Sequence, residues 1–143
     1  MKVEQLSIFL ENKPGMLEQA AKVLGEKEIN IRALSLADTS DFGILRIIVN
    51  DIDKAEKALQ EKGFTVRRTF VVAVAVPDRP GGFYSILAAL SEKNISTEYT
   101  YAFVERSKEK ALIIFRFDRT DEAIDVLQEK GFTVIPGSQV YNL

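Results

Sequence analysis

Two short loops carry most of the chemistry in this sequence. One reads Glu11-Asn12-Lys13-Pro14-Gly15-Met16-Leu17, the other Pro77-Asp78-Arg79-Pro80-Gly81-Gly82-Phe83. Both pass from an amide or carboxylate through a cation and Pro-Gly into an apolar stretch with helical spacing. A helix start offers N–H groups that suit a carboxylate or another anion. Asn12 or Asp78 beside it can accept hydrogen bonds from an ammonium group, and Gly15 or Gly81 lets a ligand or another backbone come close. Together these groups match the two ends of a free amino acid. The same residues also read as plain architecture, with Asn12 and Asp78 as helix caps and Pro14 in a first helical turn. Spacing alone favours that second reading.

What the chain lacks narrows the alternatives. Its 143 residues include no histidine and no cysteine. The commonest general base, the commonest zinc ligand, thiol nucleophiles and disulfides are therefore all missing. No catalytic residue, metal ligand or cofactor is assigned. Nineteen basic and 21 acidic residues leave a net charge of -2, which argues against a nucleic acid or an anionic membrane surface as partner. The longest apolar run, Phe70 to Val76, has seven residues, whereas a membrane helix needs about 20. Met1 to Leu10 alternates and has no secretory core, so the expected location is the cytoplasm.

Other clusters have simpler readings. Tyr99, Tyr101 and Phe103 share a strand face that suits a core or interface. Phe115-Arg116-Phe117 faintly matches the aromatic strand of an RNA-recognition motif, without that motif's glycine and basic pattern. Arg67-Arg68 reads as a solvated strand end that could also hold an anion. Asp118, Asp121, Glu122 and Asp125 surround a helix start, where acids complement the dipole. Glu98 could receive a ligand ammonium or point to solvent. A phosphate-holding enzyme loop around Arg79 is a further alternative, but Lys13 stands there in the first loop and no glycine-rich cradle is evident.

The elements behind these loops come from a duplication. Leu59-Gln60-Glu61-Lys62-Gly63-Phe64-Thr65-Val66 recurs unchanged at Leu127 to Val134, an offset of 68 residues. Upstream the offset is 66: Pro14-Gly15 matches Pro80-Gly81, and Glu26-Lys27-x-Ile29 matches Glu92-Lys93-x-Ile95. The extra two residues fall near Glu105 to Lys110, which reads as a longer hairpin tip. Each copy begins with an alternating strand, Leu6, Ile8 and Leu10 in the first. A helix follows with Leu17, Ala20, Ala21 and Leu24 on one face, or Phe83, Ile86, Leu87 and Leu90 in the second copy. Gly25 and Asn94 lie where these helices end. Strands at about Ile29 to Leu36 and Gly43 to Asn50 come next, joined across Asp38 to Asp41. A second helix spans about Asp51 to Lys62 and is closed by Gly63, or by Gly131 in the second copy.

The order is βαββαβ, twice. It predicts an α+β fold of two ferredoxin-like units side by side, each an antiparallel sheet with helices on one face. The expected domains are residues 1–70 and 71–143. No Gly, Pro or Ser lies between Phe64 and Val76, so one copy's last strand should run almost directly into the next copy's first.

Asn-Lys-Pro-Gly-Met-Leu, an amphipathic helix and then Glu28-Ile29-Asn30-Ile31 resemble an ACT domain, a small amino-acid-binding regulatory module of βαββαβ form. The resemblance covers both halves. It implies that Asn12, Gly15 and Asn30 contact ligand or permit its approach, with Lys13, Pro14, Met16, Leu17 and Ile31 around them. In copy two it implies Asp78, Arg79, Pro80, Gly81, Gly82, Phe83, Ser96 and Glu98. There Asp78 replaces Asn12, Gly82 replaces Met16 and Ser96 replaces Asn30. Leu10 and Val76 stand where some serine-binding members carry histidine. Two unequal sites, or one real and one degenerate, both fit.

The resulting expectation is a non-enzymatic regulatory protein. It binds a free amino acid at the interface between ACT-like units and signals through assembly, as a homodimer, or through an amino-acid metabolic enzyme. A ligand-free regulatory subunit or dimerisation module for such an enzyme is the alternative.

Overall fold

The computed structural model describes residues 1–38, 41–103 and 110–143. The elements are β1 (Val3–Glu11), α1 (Met16–Glu26), β2 (Ile31–Asp38), β3 (Phe42–Val49), α2 (Ile52–Glu61) and β4 (Thr65–Pro77). They continue with α3 (Gly82–Ser91), β5 (Thr97–Ala102), β6 (Lys110–Phe117), α4 (Thr120–Glu129), β7 (Thr133–Ile135) and α5 (Gly137–Tyr141). The chain divides into two compact units. One holds Glu4–Thr69 with Tyr141–Leu143, the other Phe70–Val140 with Met1–Val3. The last strand of copy one and the first of copy two are a single strand, β4, of 13 residues. The expected hairpin insertion lies almost wholly outside the described residues, as do Thr39 and Ser40.

In the first unit β3 lies between β1 and β2, antiparallel to both. Leu10 faces Gly43 across one ladder, and Leu36 faces Leu45 across the other. Leu6, Ile8, Leu10, Leu45, Ile47 and Val49 point toward α1 and α2 and form one core with Ala20, Val23, Leu24, Ala55, Ala58 and Leu59. In the second unit β4 lies between β6 and β7, and β5 pairs with the outer side of β6. A separate core gathers Val72, Val74, Val76, Ile86, Leu90, Phe115, Phe117 and Leu127. Each buried Leu, Ile or Phe in such a core contributes about 1.5–3 kcal/mol. Gln5 and Ser7, which alternate with the core residues along β1, are buried as well.

The helix ends account for several departures from the expected pattern. Asn12 and Asp78 do not cap α1 and α3, and Pro14 lies ahead of α1 rather than in its first turn. The N-caps are Gly15 and Gly81 at φ 89° and 85°, and neither makes a side-chain cap bond. That left-handed conformation is open to glycine at little cost. Because α1 starts at Met16, its inner face is Met16, Ala20, Val23 and Leu24, while Leu17 and Ala21 are exposed. The same rotation in α3 buries Gly82, Ile86, Ala89 and Leu90 and leaves Phe83 exposed.

At the far end of α1, Gly25 lies in the last turn, and the residue that matches Asn94 is Glu28. Glu28 and Asn94 take φ 56° and 55°. The second helices follow expectation. Asp51 caps α2 by accepting from the Lys54 N–H at 3.2 Å. Gly63 and Phe64 donate to the Gln60 and Leu59 carbonyls, and Gly131 and Phe132 repeat this with Gln128 and Leu127. These are the paired bonds of a Schellman ending.

Candidate functional site

The first loop is shaped by three backbone contacts. The Lys13 N–H donates to the Glu11 carbonyl at 2.9 Å, the Asn12 N–H to the Asp41 carbonyl at 3.1 Å, and the Gln19 N–H to the Gly15 carbonyl at 3.0 Å. They fold residues 11–16 over the end of the β1–β3 ladder, next to the end of β2.

A cavity of about 120 Å³ lies there. Leu10, Met16, Leu17 and Leu36 supply its apolar wall, and Glu11, Asn12, Lys13 and Asp38 its polar groups. Gly43 completes it; a Cβ there would stand 3.5 Å from Leu36 Cδ1. The Lys13 ammonium lies 3.1 Å from a Glu11 carboxylate oxygen, with both side chains largely exposed. An apolar wall facing an amide, two carboxylates and an ammonium can bind a small zwitterion. Sites for drug-sized ligands are usually about 300–1,000 Å³, so this cavity suits a smaller guest. A wider hollow of about 520 Å³ runs along α3 past Tyr84, Leu87, Ala88, Ser91 and Glu92. It is lined by one helix, without the convergence of elements seen at the smaller cavity.

The structure brings together Asn12, Lys13, Met16 and Leu17. Pro14 and Gly15 form the corner behind them and do not line the cavity. Asn30 and Ile31 stand apart, at the other end of α1. That helix has 11 residues, about 16 Å at 1.5 Å per residue. The Asn30 N–H donates to Asn50 Oδ1 at 3.0 Å, and Ile31 packs on the core. Leu36, Asp38 and Gly43 were not singled out from the sequence. The available signal was a lone glycine inside a strand, which marks a close approach.

The second loop has the same backbone with different contents. The Arg79 N–H donates to the Pro77 carbonyl at 2.9 Å, and the Gly82 N–H to the Arg79 carbonyl at 3.1 Å. Asp78, Arg79 and Pro80 are exposed. Gly82, where copy one has Met16, is buried, and a Cβ on it would fall 2.3 Å from the Pro77 carbonyl oxygen. Phe83 stacks on Phe115 with ring centroids 5.9 Å apart. The Ser96 N–H donates to Asp118 Oδ1 at 3.0 Å, matching Asn30 and Asn50. Glu98 faces Arg116, with 3.7 Å between Oε2 and Nε.

Other candidates are absorbed into the architecture. Phe115 and Phe117 are 0% and 1% exposed and stack on each other, so they form no platform for bases. Arg68 is ringed by Glu4, Asp53 and Glu56, which raises its pKa above the ordinary value, chiefly through Asp53 and then Glu56. It is satisfied by carboxylates rather than held ready for an anion. Arg67 lies over the Phe9 ring. Glu122 pairs with Arg119, and Asp121 with Lys2.

The sequence matches the family model described as "ACT domain pair" over residues 1–143. No curated protein matches it significantly. A solved protein of Bacteroides thetaiotaomicron is 41% identical, with 100% of this chain and 98% of that one covered and a TM-score of 0.93. The ligand-free regulatory subunit of aspartate kinase from Thermus thermophilus shares the fold at 15% identity, covering 90% and 92% of the two chains with a TM-score of 0.63. A structure of aspartokinase alpha and beta subunits does so at 17% identity, covering 97% and 93% with a TM-score of 0.57. No described helix is long and apolar enough to cross a membrane.

Proposed function

Because the chain belongs to the ACT-domain family, as a pair of such domains, we propose that it is a non-enzymatic sensor of a free amino acid. ACT domains are regulatory modules. The observation that carries the reading is the cavity at the first loop, where polar groups of both signs meet an apolar wall. Asp38 and Asn12 receive the ammonium group. Lys13 and the first-turn N–H groups of α1 receive the carboxylate. Leu10, Met16, Leu17 and Leu36 take a small side chain. Copy two has Gly82 in place of Met16, and its site is unequal to this one.

The signal leaves through assembly. The chain works in the cytoplasm as a homodimer and passes the bound state to an enzyme of amino-acid metabolism. The aspartate kinase regulatory subunits share the fold at low identity and lend the reading analogy only. A ligand shifts such an equilibrium only by its differential affinity for the two states.

A thermal-shift panel of free amino acids tests this. One at 100 times its Kd should stabilise the protein by about 2.7 kcal/mol, and Asn12→Ala should reduce that shift. A melting curve unmoved by every amino acid would leave the alternative, a ligand-free regulatory subunit.

A further inference from the structure

We infer that the hollow between the end of α1 and the exposed side of α2 is a second binding site, for the diphosphate group of a small anion. It is separate from the amino-acid cavity, which lies at the other end of α1, and does not rest on that reading. Lys27, Lys54, Lys57, Ala58 and Glu61 line a hollow of about 230 Å³ there. Its floor, Ala58, is 5% exposed, and the four charged residues stand exposed around it. Three ammonium groups against one carboxylate leave the hollow strongly positive.

The fold does not account for these cations. Among the described residues none of the three ammonium groups has a carboxylate partner. The other acids of α2 are used elsewhere: Asp51 caps the helix, and Asp53 and Glu56 hold Arg68. Lys54 and Lys57 are three residues apart on one helix face, where like charges repel. Lys54 also lies in the first turn of α2, where the helix dipole favours an anion. Copy two shows that the same architecture takes the opposite charges. Lys93, Glu122, Asp125, Val126 and Glu129 hold the corresponding positions, one cation against three acids, and Glu122 pairs with Arg119. The lysine cluster therefore belongs to copy one alone, and a bound polyanion would offset its repulsion. The donors point to phosphate. Each lysine is a compact charge with three rotatable donors, and no arginine fork lines the hollow to grip a carboxylate in two parallel bonds. The volume is below the usual range of about 300–1,000 Å³ for drug-sized ligands, so it suits a diphosphate group.

Calorimetric titration of the full chain with pyrophosphate, without metal ions and at fixed ionic strength, tests this. One pyrophosphate per chain should bind. Lys54→Glu and Lys57→Asp, the residues that copy two already carries at these positions, should each weaken binding about tenfold. Lys22→Glu, on the exposed side of α1 and outside the hollow, makes the same charge change and should alter binding less than about twofold. Citrate, a polyanion of carboxylates, should bind more weakly than pyrophosphate. No saturable heat from a folded wild type, equal weakening by Lys22→Glu and Lys57→Asp, or citrate binding as tightly as pyrophosphate would overturn the assignment. Lys57→Gln, which removes the charge without reversing it, decides the matter if a reversal unfolds the chain. A chain that takes pyrophosphate but no amino acid would refute the sensor and leave this site standing.

Discussion

The Tyr141 hydroxyl accepts a 2.7 Å hydrogen bond from the backbone N–H of Glu4, 137 residues away in sequence. It attaches the last residues of the chain to the first unit, to which both groups belong. Tyr141→Phe leaves that N–H without the acceptor and should cost about 1 kcal/mol in a urea melt.

The same residue gives a pH dependence. Burial, the largest cause, raises the Tyr141 pKa above its ordinary value of 10.0. A group with a raised folded pKa contributes stability below its unfolded pKa and loses it as the pH climbs toward the folded one. Wild-type stability should therefore fall above about pH 10, the phenol's usual value. Tyr141→Phe should flatten that part of the decline, as read by urea melts at neutral and alkaline pH.

Gly82 and Gly25 form a matched pair of tests. A Cβ at Gly82 would lie 2.3 Å from a backbone oxygen, whereas one at Gly25 meets nothing within 4 Å. Gly82→Ala should destabilise by more than about 2 kcal/mol, the scale of overpacking against unyielding backbone. Gly25→Ala, inside α1, should stabilise by about 0.5–1 kcal/mol. Denaturant midpoints should shift in opposite directions; a rise for Gly82→Ala or a fall for Gly25→Ala would contradict the prediction for that site.

Glu28 holds a left-handed conformation that its counterpart Asn94 also holds. An ordinary L-residue there costs roughly 1–2 kcal/mol, and asparagine less. Glu28→Asn should raise stability by about 0.5–1 kcal/mol, and the melting temperature with it.

The duplicated octapeptide revealed the second helices and their endings because those signals are local. The absence of Gly, Pro and Ser after Phe64 likewise indicated the join that became β4. Asn12 looked like a cap because its residue type fits. The helix start is decided instead by Gly15 in the left-handed region, and moving that start turned the buried face toward Met16 and Val23. The cavity was half legible. Asn12 and Lys13 came from the loop motif. Asp38 and Gly43 reach the site through the pairing of three strands, and no spacing within one strand records that register. The short helix α5 was missed because five residues carry no periodicity.

Isothermal titration calorimetry of a panel of free amino acids against the wild-type chain, Asn12→Ala and Asp38→Asn tests the central reading most directly. The cavity predicts saturable binding of at least one small amino acid to the wild type, weakened in both variants. Binding that both variants leave intact, or heats of dilution alone from a folded wild-type protein, would contradict it.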